Sequence, residues 1–129
     1  MTSSGNSTSA APIDAAEELK VRLRADLRAA MLAKASVEVA VLRALMAALD
    51  NAQAVPLRPD QLRYLAHRFG DGSAEAPRLT LTDIEVAALL DRERHDRLAA
   101  AAEFAGLGQD GRAARLGAEA DIVARYLVG

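Results

Sequence analysis

Residues 91 to 97, "DRERHDR", place seven ionisable side chains in succession before the chain turns to alanine. Such a run could ligate a metal, move a proton, hold a phosphate or keep a helix wet. Set on a helix at roughly 100° per residue, it divides. Val86, Leu89, Leu90, Ala100 and Phe104 share one side, and Glu93 and Arg97 fall within that arc. Asp91, His95 and Asp96 point elsewhere, as a solvated face does. Two surface ligands from one helix hold a metal poorly, so no metal site is expected. Glu93 could act as an acid or base if burial tuned it. Arg97, four residues on, would instead hold it ionised, so the pair reads as a structural ion pair.

A similar reading applies to the first third of the chain. Asp26 lies within the leucine arc of one helix, and Arg43 lies at the edge of the next helix's arc. A charge buried alone is costly, so Asp26 and Arg43 are expected to pair across the hairpin. Lys20, Arg24 and Arg28 form a basic line at one-turn spacing beside the leucines. That line reads as a solvated edge whose stems cover apolar surface, or as a strip that tracks nucleic-acid phosphates. No RNP-like aromatic set accompanies it.

These residues need helices to carry them. Alanine supplies 30 of the 129 positions and aromatics 3% of the composition. This favours helices packed closely through small side chains. "DAAE" at Asp14 has the capping-box spacing before a leucine stripe of Leu19, Leu23 and Leu27. Ser36 is the expected cap of a second helix, and Pro56 and Pro59 stop it. Thr82 and Glu85 form a second capping box, and "GLGQDG" makes the later turn. Those letters match GxGxxG, but no strand precedes them, so no dinucleotide cofactor is implied.

The expected fold is all-α, with two antiparallel helical hairpins. A disordered tail at 1–13 precedes a single helical domain at 14–129. Within it, hairpin 14–54 is followed by loop 55–81 and hairpin 82–128. In the loop, "PDQLRYLAHRF" suggests a short helix that places Leu62, Leu65 and Phe69 against the hairpin. On the last helix, Ala113, Leu116, Ala120, Val123 and Leu127 line one side. Ile122 and Tyr126 make a second apolar patch, the expected interface with another helix or a partner.

The net charge of −2 excludes a strongly basic coat but not a local patch. There is no cysteine, which excludes disulfides, thiolate zinc sites and cysteine nucleophiles. No apolar run approaches a membrane span, and the N-terminus has neither a charged nor an apolar leader region. A cytoplasmic location is the expectation, with the "NST" at Asn6 an accidental sequon.

The segment "LKVRLRADLRAAMLAKASVEVAVLRALMAALDNAQA" resembles the N-terminal helical hairpin of the GatB/YqeY family. "LTDIEVAALLDRERHDRLAAAAEF" and "GRAARLGAEADIVARYL" are similar to its second hairpin. The likeness covers roughly residues 14 to 127 apart from the central loop, which is longer here. In the family, "YL" is usually followed by proline and a further helical subdomain, which is expected to be missing after Gly129. Members resemble the tail of the B subunit of aminoacyl-tRNA amidotransferase, an enzyme that converts misacylated Glu-tRNA or Asp-tRNA to the amide. The resemblance implies a non-catalytic accessory module linked to tRNA and carries no catalytic residue to this chain. A carbon–nitrogen ligase activity with glutamine as amide donor would be implied by that likeness alone. The partners it implies are tRNA or a protein of tRNA-dependent amidation. The rival reading is a protein-interaction or self-association domain with Ile122 and Tyr126 as its interface. No cofactor, metal or membrane is expected among the partners.

Overall fold

A computed structural model describes residues 14–54, 60 and 78–127. Among the described residues four long helices follow in order: α1 (Ala15–Leu32), α2 (Ser36–Gln53), α3 (Asp83–Gly106) and α4 (Asp110–Ala124). Among the described residues there is no strand, only an isolated antiparallel bridge between Ala54 and Arg78. The fold is all-α. α1 packs on α2 and α3 on α4 as two hairpins. The tail at 1–13, the short helix read in "PDQLRYLAHRF" and most of the loop at 55–81 lie outside the described residues.

Local chemistry explains the boundaries. Asp14 caps α1 by accepting from the Ala16 amide at 3.0 Å. Thr82 and Glu85 make the full reciprocal capping box at α3. Ser36 is not the cap of α2. The cap is Ala35, which offers no side-chain bond, and Ser36 is the first helical residue. The connection between α1 and α2 is tighter than a serine cap allows. Lys34 takes a left-handed conformation (φ 57°). The Ala35 amide then reaches back to the Ala30 carbonyl, and the Lys34 amide to that of Met31, a Schellman closure.

The core lies where the hairpins meet. Leu23, Leu42, Leu45 and Leu49 are fully buried, joined by Leu90 and Val123 from the second hairpin. Burying each leucine stabilises the fold by about 1.5–3 kcal/mol relative to exposure. The second hairpin contributes only its root, from Leu81 to Leu90 and from Ala120 to Tyr126. None of residues 91–119 is buried, so the outer half of this hairpin is a thin two-helix arm.

The root is stitched to the first hairpin by backbone and carboxylate. The Ala15 amide donates to the Leu81 carbonyl at 3.0 Å, and the Leu79 amide to the Gln53 carbonyl at 2.7 Å. Asp14 Oδ1 also accepts from the Leu81 amide at 3.2 Å.

Candidate functional site

Lys20 does not belong to an exposed basic line. It is 3% exposed. Its Nζ lies 2.8 Å from both Glu17 Oε2 and Asp50 Oδ1. Burial pulls the ammonium's pKa down, but the hydrogen bonds to Asp50 and Glu17 outweigh it and raise the net value. Glu17 is held below the ordinary carboxylate range by hydrogen bonds from Lys20 and Gln53. The Gln53 amide donates to Asp14 at 3.1 Å and to Glu17 at 3.0 Å. Five side chains thus form a polar clasp at the open end of the first hairpin. The capping-box spacing of Asp14 and Glu17 gave no hint of it, because Lys20 and Gln53 are recruited from positions that sequence periodicity treats as edge and terminus.

Asp26 does not pair with Arg43. It accepts from the Tyr126 hydroxyl at 2.5 Å, across 100 residues of sequence. Arg22 lies over the Tyr126 ring, 4.6 Å from its centroid. Burial, then the bond to Asp26, push the Tyr126 phenol well above its ordinary pKa. Arg125, its neighbour, donates to Glu38 at 3.2 Å. The physical reason is facial: Asp26 and Glu38 lie on the side of the hairpin that the second hairpin covers, whereas Arg43 is exposed on the other.

Ile122 and Tyr126 meet other helices of this chain, the first of the two contacts expected for them, rather than a partner. They are 7% and 8% exposed and belong to the core. α4 carries two apolar sides because it has two neighbours, α3 and the first hairpin.

Glu93 and Arg97 are together. Arg97 Nη1 lies 2.9 Å from Glu93 Oε1, and Nε lies 3.2 Å from Glu119 Oε1 on α4. Arg115 reaches the other Glu119 oxygen at 3.3 Å. The cluster is a strut across the arm, with every carboxylate engaged by a guanidinium. Among the described residues, no group of three or more His, Asp or Glu is placed to hold a metal ion. Among the described residues, no helix is long and apolar enough to cross a membrane.

These pairings sort the charges of the first hairpin. Between residues 21 and 49 the only carboxylates are Asp26 and Glu38, and both serve the covered face. The Lys20–Asp50 contact defines the opposite face. At roughly 100° per residue, Arg24 and Arg28 lie on the same side of α1 as Lys20, and Arg43 on the same side of α2 as Asp50. Arg24, Arg28, Lys34 and Arg43 are all exposed. Among the described residues no carboxylate pairs with any of them. Toward the hairpin tip this face opens into a groove of about 530 Å³, lined by Met31, Lys34, Ser36, Val39, Ala40 and Arg43. Sequence reasoning missed Lys34 and misassigned Arg43. The signal available was the absence of any acid near them in sequence on the same helical side.

No family model, no curated protein and no solved structure matches this chain.

Proposed function

We propose that the chain is a non-catalytic, tRNA-linked accessory module that binds the phosphate backbone through the free face of its first hairpin. The observation that carries this reading is the segregation of charge. A chain of net charge −2 turns both carboxylates of residues 21–49 toward the second hairpin and leaves Arg24, Arg28, Lys34 and Arg43 exposed, with no carboxylate paired to them among the described residues. Phosphate contacts of this kind give affinity without sequence readout and need no aromatic platform. The resemblance to the GatB/YqeY hairpins is what selects tRNA among polyanions.

Filter binding of bulk tRNA at low salt tests it. The triple variant Arg24→Ala, Arg28→Ala, Arg43→Ala is expected to lose at least about tenfold in affinity, since each phosphate contact adds to the counterion-release term. Lys20→Met, which removes a cation from the same helix but from inside the clasp, is expected to leave affinity unchanged. Equal loss from both variants, or none from either, removes this face from the account.

A second reading draws on the arm. Residues 91–119 bury nothing fully, and Leu98 and Leu107 are 39% and 71% exposed. A protein-interaction or self-association domain would complete such an arm with a partner's surface. Light scattering across a concentration series tests the self-association form, which predicts a mass above 13.6 kDa at high concentration.

A further inference from the structure

The cationic face is not uniform along its length. Near the open end it is a charged edge. Near the tip it becomes a groove with an apolar floor, made by Met31, Val39 and Ala40 between the Lys34 and Arg43 cations. A bare phosphate chain would use those cations and leave the floor unfilled. Building on the phosphate-binding reading, we infer that the groove receives an unpaired nucleobase, so that the module recognises single-stranded RNA in preference to duplex.

Three features support this occupant. The lining is open and largely apolar, with Met31, Val39 and Ala40 beside two cations, which suits the flat face of a base. Arg43 supplies a planar guanidinium on which a base face can stack, and Met31, half exposed, supplies a polarisable thioether opposite the helix surface. Arg24 and Arg28 lie one turn apart on α1, about 6 Å, which suits the stride of a flexible phosphate chain leading to the groove. The charge of the rim matches phosphates on either side of the inserted base. A duplex must first extrude a base and break its stacking, whereas an unpaired segment meets the groove without that cost.

Lys34 fits the same picture. It occupies a left-handed position (φ 57°) at which glycine is ordinarily preferred, and so sets an ammonium at the groove's rim.

Fluorescence anisotropy with four probes tests the inference on the full chain: an unstructured RNA octamer, an eight-base-pair RNA duplex, an abasic ribose-phosphate octamer and an acidic amphipathic peptide. The octamer is expected to bind about tenfold more tightly than the duplex or the abasic chain. Met31→Ser is expected to erase most of that margin and leave abasic binding unchanged. Circular dichroism of the variant guards against misfolding, and Ala40→Gln, which fills the groove from its other wall, gives an independent second blockade. Equal binding of octamer and abasic chain overturns the base pocket but leaves the phosphate-binding reading standing. Failure of every RNA probe and of tRNA overturns both. Preferential capture of the peptide assigns the groove to an acidic protein partner and overturns the inference.

Discussion

Lys20 Nζ stands 2.8 Å from Asp50 Oδ1, with the lysine buried and the aspartate side chain 59% exposed. This contact, with the Gln53 bonds to Asp14 and Glu17, ties α1 to α2 and marks the side of the hairpin away from the second hairpin. It also removes Lys20 from any binding surface, so the lysine's worth is structural. Lys20→Met is expected to destabilise the fold by about 1–3 kcal/mol, because Glu17 and Asp50 lose a charged donor yet remain partly hydrated. Urea denaturation with an unchanged m-value checks this. A variant as stable as wild type would show that the clasp contributes nothing.

The clasp also sets a pH window. Glu17 is depressed below its ordinary value of 4.5, so its contribution is present above that pH and is lost as pH falls through the lower folded-state value. Lys20 is raised above 10.5, so its contribution is complete below that pH and is lost as pH rises through the higher folded-state value. Thermal stability is therefore expected to fall below about pH 4.5 and above about pH 10.5 relative to a Lys20→Met, Glu17→Gln double variant. Parallel curves for the two proteins would contradict it.

Tyr126 ties the end of α4 to α1 through Asp26. Tyr126→Phe retains the ring under Arg22 but deprives a half-buried carboxylate of its donor. The expected cost is about 1–3 kcal/mol. A matched Tyr126→Phe, Asp26→Leu pair should recover part of that loss, because no unsatisfied carboxylate remains. Chemical denaturation of the double-mutant cycle reads the coupling.

The arm depends on its strut. Arg97→Met leaves Glu93 and Glu119 facing each other without the cation that joins α3 to α4. The effect is expected to be local: faster amide exchange across residues 91–119, with protection at Leu42 and Leu45 little changed. Uniform loss of protection would show that the arm and the core unfold as one unit.

Lys34 separates stability from binding. Lys34→Gly relieves the left-handed strain and is expected to stabilise the fold by about 1 kcal/mol. The same change removes a rim cation and should weaken RNA binding. A variant that gains both stability and affinity would show that Lys34 is merely a turn residue.

The four helices were legible because their signals are local. Leucine spacing and the Thr82–Glu85 box each act within a turn or two. The site was less legible because its logic is tertiary. Lys20 sits on the edge of a leucine stripe in sequence, and its burial is offset by Glu17 one turn away together with Asp50, thirty residues away. Asp26 lies on the apolar arc as expected, but periodicity cannot say whether the group across from it comes from α2 or from α4. Ile122 and Tyr126 look like a spare patch because a helix wheel shows how many neighbours a helix has, not which chain they come from.

The salt dependence of tRNA binding tests the central claim most directly. With four cations meeting phosphates, the plot of log affinity against log salt concentration should fall with a slope of about −3 to −4, and each of Arg24→Ala, Arg28→Ala and Arg43→Ala should flatten it by a little under one. A flat plot for the wild-type chain, or a steep one that these substitutions leave unchanged, would contradict a phosphate-binding face on the first hairpin.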